Sequence, residues 1–528
     1  MNLKLNSYSA DSIINLIVDT LKKKKQVLIF VNAKRSAEKV ALDIARFLER
    51  KKKLSLNLDL AKLKTLSNEL VSFLERPTVQ CLRLGEAIKY GVCFHHSGLL
   101  SEQRELLERS FREGYVKVIV ATPTLAAGVD LPAYRVIIRD LKRYSRGRSV
   151  YIPIMEYMQQ AGRAGRPKYD TVGEAIIVVS SQSERDKAVN DYINGMPEDI
   201  YSKLAVEPIL RTFVLSLIAS NFFKSEGELI SFFSKTFWSY QFEDIDKIKF
   251  MIKGIVDELI EMNFLSIREN SYSATHLGKR VAELYLDPLT AYDFVQGLEQ
   301  IEKFDVFAVL LLISKSLELR PLPSVYKKEV DELFELIQDV EKDILFDVPS
   351  EFDYDFEHFL KSVKFAKLLY DWINETDEED LLEKYNIRPG ELRVKLELVC
   401  WLVYALIELV KVLNKTRFVN DLFKLRLRLN YGAKEELIPL LKLKGIGKHR
   451  ARLLYSKEIK NLGDVKKAGF QKLRSIIGEK IAVKILSQLN VEVDENLLSK
   501  KGISVRKNNL KNKKNNEKVN FQSSLDDF

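Results

Sequence analysis

The sequence contains little cysteine. Its 528 residues include three cysteines, Cys81, Cys93 and Cys400, and no two of them stand at C-x-x-C spacing. Disulfide frameworks and zinc sites both need more closely spaced sulfur ligands, so we expect neither, and we predict no metal site. A reducing intracellular compartment is the setting that fits this cysteine content.

The sequence also lacks a long uncharged apolar run and a secretory signal. The longest apolar stretches, 204–220 and 396–413, carry charged residues at helical spacing, which indicates buried helices rather than membrane spans. The N-terminus has no apolar segment followed by a small-residue cleavage site. We therefore expect a cytoplasmic protein with no membrane partner.

Basic residues outnumber acidic ones. Lys and Arg total 84 against 74 Asp and Glu, which leaves a net charge of +10 and suits a polyanionic partner. The composition, 46% hydrophobic and 30% charged, is typical of a folded chain. The length exceeds what one hydrophobic core supports, so several domains are expected.

Short β-branched apolar runs alternate with helical patterns in residues 1–195. They are QVLIFVN, VKVIVAT, RVIIRDL and EAIIVVS. Runs that are apolar throughout are typical of strands buried on both faces of a parallel sheet, so we predict an α/β domain there. Beyond it the patterns are mostly helical, and the Lys/Asn-rich stretch 498–528 is predicted to be disordered.

Two arginines in QQAGRAGRP carry the main functional signal. Gln159, Arg163 and Arg166 follow the spacing Q-x-x-x-R-x-x-R, which we interpret as one face of a helix kept open by glycine and alanine. Guanidinium groups match phosphate oxygens and stabilise charge on a transferring phosphoryl group. Taken alone, a solvated arginine helix explains the same spacing.

Other segments place polar residues after predicted strands, where α/β sheets hold their ligands. QVLIFVN leads into Asn32 and Arg35, and VKVIVAT leads into Thr122, Gly128 and Asp130. Hydroxyls, backbone amides and a carboxylate at such positions can hold a nucleic-acid phosphate and a nucleotide together. The segment FHHSGL adds two histidines, which we interpret as structural residues rather than metal ligands.

In this order and spacing the four segments resemble motifs IV, the His-His-Gly segment, V and VI of superfamily-two helicases, and they are similar to those of the Ski-like archaeal repair helicases of the Hjm type. The resemblance covers residues 26–170 and implies a second RecA-like domain. It implies that Arg163 or Arg166 acts as an arginine finger. The residues that would face ATP are Gly128, Asp130, Gln159, Arg163 and Arg166. Those that would lie near the DNA backbone are Asn32, Arg35 and Thr122.

Between motifs V and VI, residues 135–154 place two β-rich runs around the polar turn KRYSRGR. In the family that the chain resembles, the corresponding hairpin separates the strands of the duplex. This implies DNA contacts for Arg143, Tyr144 and Arg146. An ordinary basic hairpin is the alternative interpretation.

The resemblance extends into the helical part and implies five domains. They are a second RecA-like domain at 1–195, a winged helix at 196–287, a helical ratchet domain at 288–434, a helix-hairpin-helix at 435–497 and a disordered basic tail at 498–528. A ratchet helix at 389–410 would bring Arg393 and Trp401 to the single strand, although the stretch around Trp401 is apolar enough for an ordinary core role. Val394 stands where the family often has a second arginine, which predicts a weaker strand grip or one shared with Lys395.

The segment LKLKGIGKHRARLLY has the G-h-G-K-x-x-A form of a helix-hairpin-helix. Gly445 and Gly447 let backbone amides approach a DNA phosphate at a helix N-terminus, and Lys448 and Arg450 supply positive charge. Residues 476–486 resemble a degenerate second half of the same module.

The last seven residues, QSSLDDF, fit the clamp-binding pattern Q-x-x-L-x-x-F without its usual second aromatic residue. By this resemblance Gln522, Leu525 and Phe528 would bind a sliding clamp.

Two motifs that such a helicase needs are absent from the sequence. There is no Gly-Lys-Ser/Thr loop after a strand and no DExH segment, and GIVDELIEM continues as a helical pattern that places Asp257 and Glu258 on the surface. We therefore expect ATP and Mg²⁺ to bind only with a partner polypeptide that carries the first RecA-like domain.

The resemblance implies the C-terminal portion of an ATP-dependent 3′–5′ DNA helicase that acts on single-stranded and branched DNA in replication-fork repair and recombination. A nucleoid-associated location in the cytoplasm is expected. A non-catalytic DNA-binding adaptor recruited to the sliding clamp is the alternative. An RNA helicase of the same wider group is a third possibility, against which the helix-hairpin-helix and the clamp-like tail argue.

Overall fold

A computed structural model of the protein describes residues 5–51, 58–74, 76–126, 128–145, 148–165, 170–204, 206–269 and 271–491. The chain folds into two compact units. The first comprises Met1–Ser202 with Leu382–Val394, and the second comprises Lys203–Leu381 with Lys395–Phe528. The finer division into five domains remains a prediction.

A parallel sheet forms the centre of the first unit. Its strands and those of a separate hairpin are β1 (Val27–Phe30), β2 (Val92–His95), β3 (Val118–Ala121), β4 (Arg135–Ile138), β5 (Lys142–Ser145), β6 (Arg148–Tyr151) and β7 (Glu174–Ile177). The five-stranded sheet has the order β2-β3-β1-β4-β7, and every neighbouring pair is parallel. Strands β1 to β4 are buried along their whole length, as the continuous apolar runs require. The predicted α/β domain is confirmed.

Helices cover this sheet. They are α1 (Ser12–Lys22), α2 (Lys34–Arg50), α3 (Leu60–Val71), α4 (Val79–Ile88), α5 (Ser101–Arg112), α6 (Ile154–Ala161) and α7 (Gln182–Lys187), with a 3₁₀ turn at Pro123–Leu125 and a π-helical turn at Ala188–Ile193. Asp11, Asp59 and Thr78 cap α1, α3 and α4, because each side-chain oxygen accepts a hydrogen bond from an amide of the first turn.

The second unit is mostly helical. Its elements begin with α8 (Glu207–Ala219), α9 (Glu226–Phe233), α10 (Phe237–Phe242), α11 (Ile245–Glu261), β8 (Leu265–Arg268), β9 (Ser271–Ala274), α12 (His276–Glu283), α13 (Pro288–Gln300), α14 (Val306–Ser314), α15 (Val330–Val340) and α16 (Phe356–Ile373). Helices α17 (Glu378–Lys384) and α18 (Pro389–Val412) follow, and each has residues in both units. The second unit continues with α19 (Val419–Tyr431), α20 (Ile438–Leu441), α21 (Lys448–Ser456), α22 (Leu462–Ile477) and α23 (Glu479–Gln488). Short 3₁₀ turns lie at Leu317–Leu319, Lys327–Glu329, Glu341–Asp343, Thr416–Phe418 and Glu435–Leu437. Strands β8 and β9 form an antiparallel hairpin.

The segment GIVDELIEM is helical, as predicted, and lies in α11. Asp257 is exposed, as expected, and Glu258 is only partly exposed because it also forms an ion pair. Its carboxylate lies 3.1 Å from the guanidinium of Arg211, which is buried and also pairs with Asp287 at 3.0 Å. A buried guanidinium needs such partners, and they draw Glu258 inward.

Across the part of the chain that the structure describes, no helix combines the length and the apolar character that a membrane span requires.

Candidate nucleotide and nucleic-acid site

The polar residues that follow the central strands meet at the carboxyl edge of the sheet. Asn32 follows β1, and its side-chain amide donates to the carbonyls of Asp140 and Lys142 at 2.8 and 3.0 Å. Thr122 follows β3 and is buried, with its hydroxyl 2.9 Å from that of Thr124. Both predicted DNA-contacting groups thus have internal hydrogen bonds, and their contact with DNA remains a prediction.

Arg163 brings motifs V and VI together. Its Nη2 and Nε donate to the carbonyl of Ala126 at 2.5 and 3.2 Å. Its Nη1 lies 4.0 Å from Oδ1 of Asp130, whose side chain is 98% exposed. The guanidinium is therefore held by the loop after β3 beside a solvent-facing carboxylate.

The interpretation of the arginine spacing as one helical face was wrong. Helix α6 ends at Ala161, and Arg163 lies in the turn that follows. Gly165 has a φ of +95°, a conformation that residues other than glycine rarely adopt. Gly162 follows the last residue of α6, and glycine ends the helix before Arg163 because it lowers helix propensity. Gln159 is exposed in the last turn of α6, and Arg166 lies outside the described residues.

Backbone contacts fix the turn that carries Arg163. The amide of Ala133 donates to the carbonyl of Arg163 at 2.9 Å, and the amide of Gly165 donates to the carbonyl of Ala133 at 2.7 Å. Gly173 packs against this turn so closely that a β-carbon there would lie 2.5 Å from the carbonyl carbon of Ala164. The position of Arg163 therefore depends on a small residue at 173.

These residues fit one side of a nucleotide site. Gly128 has a φ of +79° and open space beside it, while Asp130 and Gln159 are exposed close to the turn that holds Arg163. In enzymes that transfer phosphoryl groups, a Gly-rich loop holds the triphosphate on one side, and a guanidinium and polar side chains face it from the other. That loop has no counterpart in the sequence. No cluster of three or more His, Cys, Asp and Glu residues suited to a metal occurs among the described residues.

The two histidines of FHHSGL are buried and face carboxylates. Nε2 of His95 lies 3.0 Å from Glu108, and Nε2 of His96 lies 3.5 Å from Glu38, while Nδ1 of His96 accepts the amide of Gly98 at 3.1 Å. Burial lowers the pKa of His96, so its ring is neutral near pH 7. Burial works to raise the pKa of Glu38, but His96 and nearby arginines outweigh it and lower that pKa below its ordinary value.

The sequence did not predict that Leu382–Val394 packs with the first unit. Arg388 lies 3.2 Å from the same Glu38 carboxylate, and the amide of Gly390 donates to the carbonyl of Gly98 at 3.0 Å. A β-carbon on Gly390 would lie 2.2 Å from the Leu99 carbonyl, so glycine is needed there. The start of α18 is thereby attached to the His-His-Gly segment.

Residues Leu382–Val394 also contact the cations of motif IV. Lys34 forms an ion pair with Glu391, and Nη2 of Arg35 donates to Oδ1 of Asn386 at 2.9 Å. The Arg35 contact joins residues 351 positions apart, which no local sequence pattern can reveal. Arg35, predicted to lie near DNA, is exposed and has this internal partner.

The predicted hairpin at 135–154 is shorter than expected. β4 belongs to the central sheet, and the antiparallel pair is β5 with β6. β5 therefore lies inside the stretch interpreted as a polar turn, whereas β6 begins at its last residue and continues into the second predicted run. In these strands, cations and Tyr144 take the positions that apolar residues occupy in the central sheet. An exposed two-stranded ribbon tolerates them, because pairing between its strands does not require a buried apolar face. Tyr144 is 79% exposed, Arg143 lies 2.8 Å from Glu156, and Arg146 lies outside the described residues.

The helix-hairpin-helix turn has the geometry that the glycines predict. Gly445 has a φ of +102°, and Gly447 is the N-cap of α21. Arg450 is half-buried, and its Nη1 donates to the carbonyl of Gly445 at 3.3 Å. Lys448 lies with Nζ 5.4 Å from the centre of the Trp372 ring, and burial lowers its pKa.

The segment 389–410 is helical and lies in α18, and its role as a ratchet helix remains a prediction. Arg393 is exposed, whereas Trp401 is half-buried, so both the stacking role and the core role of Trp401 stay open. The clamp-binding residues Gln522, Leu525 and Phe528 lie outside the described residues.

Comparisons with known proteins match three parts of the chain. Residues 65–168 match the helicase conserved C-terminal domain, residues 307–432 match domain 4 of archaeal helicases, and residues 437–490 match a SAM-like helix-hairpin-helix tandem. The tandem agrees with the second half that the sequence suggests at 476–486.

Whole-chain relatives agree with these matches. The chain is 41% identical over 499 residues to the ATP-dependent DNA helicase Hel308 of Pyrococcus horikoshii, covering 93% of this chain and 67% of that relative. It is 36% identical to Hel308 of Methanococcus vannielii, covering 94% and 70%, and 39% identical to Hel308 of Methanocella arvoryzae, covering 93% and 66%. The chain thus spans about two thirds of the length of these relatives. The chain belongs to the Hel308 family of archaeal DNA helicases.

Proposed function

We propose that the chain is the C-terminal portion of an ATP-dependent 3′–5′ DNA helicase that acts on branched or forked DNA in replication-fork repair and recombination. The observation that carries the proposal is the contact of Arg163 with the Ala126 carbonyl, which joins motif V to motif VI at the carboxyl edge of the parallel sheet. In this arrangement Arg163 neutralises charge on a transferring phosphoryl group, as an arginine finger does.

Hydrolysis requires the Gly-Lys-Ser/Thr loop and the DExH carboxylates, which the sequence lacks. We expect a first RecA-like domain on a second polypeptide to supply them and to bring ATP and Mg²⁺ to the arginines. The need for a second polypeptide is inferred from the motifs that the sequence contains.

DNA would be held by several elements of the chain. The β5–β6 hairpin presents the exposed Tyr144 and is the candidate for separating the duplex. The turn at Gly445 presents backbone amides at the start of α21, the arrangement that grips a DNA phosphate. The terminal QSSLDDF segment is proposed to bind a sliding clamp, and 196–287 and 288–434 are proposed to be the winged helix and the ratchet domain.

ATP hydrolysis stimulated by single-stranded DNA tests the proposal. The purified chain is assayed alone and then mixed with a polypeptide from the same cell that carries the Walker motifs. We expect activity in the mixture and its loss in Arg163→Ala and Arg166→Ala. Arg185→Ala, at an exposed position of α7, serves as the matched control and should retain activity. Tight DNA binding without hydrolysis in either sample would favour the clamp-recruited adaptor instead.

A further inference from the structure

The second unit contains a cavity that the helicase motifs do not use. Its volume is about 450 Å³, within the range of about 300–1,000 Å³ that small ligands occupy. It lies between the start of α14, the 3₁₀ turn at Thr416–Phe418 and α19. It therefore belongs to the helical part, apart from the arginines of the parallel-sheet unit.

The walls of the cavity carry an excess of positive charge. Four cations line it, and they are Lys303, Arg417, Lys424 and Arg428. The two lining carboxylates both face one of them, since Lys424 lies 2.9 Å from Glu435 and 3.8 Å from Asp421. Among the described residues, the other three cations have no carboxylate within ion-pair distance. An anion in the cavity would find three cations without a carboxylate in ion-pair contact, although Glu435 also acts on Arg428 at longer range.

Arg428 is the most buried of the four, with 9% of its surface exposed. Its Nε and Nη2 reach the carbonyls of Ala433 and Ile373 at 3.4 and 3.5 Å, which is the outer limit of a hydrogen bond. Its Nη1 has no hydrogen bond within the described part of the chain. A buried charge is costly unless it is paired, and burial lowers the pKa of this guanidinium. Nη1 is not fully enclosed, so an anion in the cavity can reach it.

Aromatic rings lie beside these cations. Phe304 and Phe418 both line the cavity, with their ring centres 6.3 Å apart, and the Arg417 guanidinium lies 4.5 Å from the centre of the Phe418 ring. Cations that bind a phosphate together with ring faces that stack a base are the features of a site for one nucleotide.

We propose that this cavity is a second phosphate site that takes one nucleotide unit, either free or within a single DNA strand. The phosphate lies on Arg428, Arg417 and Lys303, and the base lies beside Phe304, whose ring is less buried than that of Phe418. The site is independent of the hydrolysis proposed for Arg163.

Titration calorimetry of the full chain tests the site with two probes, AMP and an oligothymidine strand. The double variant Lys303→Ser/Arg417→Gln changes two exposed positions, so it should fold, and Lys342→Ser at another exposed position is its control. We expect the double variant to bind the cavity ligand about tenfold more weakly. For the strand, the slope of log affinity against log salt should become shallower by up to about 0.7, because one phosphate is no longer fully neutralised.

A loss of AMP affinity in the double variant identifies a free nucleotide as the ligand. Unchanged AMP binding, together with a weaker and less salt-dependent strand affinity, identifies a nucleotide unit of DNA. Equal behaviour of the double variant and the wild type with both probes overturns the proposal. None of these results depends on ATP hydrolysis, so the failure of either proposal is visible separately.

Discussion

Arg163 owes its position to a turn in which backbone atoms touch. Its guanidinium is held by the Ala126 carbonyl, and its own carbonyl accepts the Ala133 amide. Gly173 lies against this turn with no room for a β-carbon. A single methyl group at 173 would thus act on an arginine ten positions earlier in the chain.

We predict that Gly173→Ala displaces this turn and destabilises the protein. The added carbon would meet the backbone of Ala164 and Gly165 at 2.5 Å, so the turn must move. Overpacking of this kind costs about 1–3 kcal/mol of unfolding free energy. Urea unfolding measures it, and hydrolysis in the reconstituted mixture should fall as well. Gly254→Ala, with open space in the middle of α11, is the control and should be neutral or slightly stabilising. Equal stability of the two variants would contradict the close packing.

Among the elements, the attachment of Leu382–Val394 to the first unit depends on one carboxylate. Glu38 of α2 faces the His96 ring, Arg388 and, at 3.3 Å, Arg83. Its side chain is only 4% exposed. Because a buried carboxylate is stable when ionised and paired, protonation of Glu38 should loosen the start of α18.

We predict that Glu38→Gln makes the first unit less sensitive to acid. The folded pKa of Glu38 is lowered, so its contribution is full above the ordinary glutamate pKa and is lost as the pH falls through the folded value. The pKa of His96 is also lowered, so acidification below its ordinary pKa destabilises the fold in the same direction. The variant should lose about 1–3 kcal/mol at neutral pH and then lose less than the wild type on acidification.

Urea unfolding at neutral and acidic pH, with hydrogen exchange of residues 389–394, measures both effects. Glu105→Gln, at an exposed position of α5, is the control and should follow the wild type. An unchanged pH dependence in Glu38→Gln would show that other groups determine the acid sensitivity.

In the whole molecule, each unit has a buried arginine that joins distant parts of its chain. Arg135 in β4 has no exposed surface and bonds to the Leu16 carbonyl, Thr20, Asp19 and Glu174. In the second unit Arg211 joins α8 to α11 and to the start of α13 through Glu258 and Asp287. Each guanidinium compensates carboxylates that are themselves partly buried.

We predict that Arg135→Met and Arg211→Met destabilise different units. Removing one partner of a buried pair costs about 3–5 kcal/mol, because the remaining charge is left unpaired. Hydrogen exchange should rise in α1, β4 and β7 for Arg135→Met, and in α8 and α11 for Arg211→Met. Arg185→Met, at an exposed position, should change neither. A uniform rise across both units in either variant would contradict this expectation.

Much of the fold could be read from local patterns. Continuous β-branched runs predicted four of the five strands of the parallel sheet, and Gly445 and Gly447 predicted the helix-hairpin-helix turn, because period, burial and glycine conformation are local properties. The end of α6 was missed because a spacing that fits a helix does not show where glycines stop it. The hairpin was misplaced because exposed strands need no apolar pattern.

The sequence alone determined the order of the motifs, the parallel-sheet unit and the family, since each of these depends on residue types at fixed spacing. Only the tertiary structure decided that Arg163 lies on the Ala126 carbonyl, that Glu38 meets Arg388, and that Arg428 lines a cavity in which none of the described carboxylates lies within ion-pair distance of it. The first two of these contacts join residues 37 and 350 positions apart, and no local pattern specifies which distant groups meet. Tertiary packing brings these groups together, and it thereby determines their charge state and the partners that they contact.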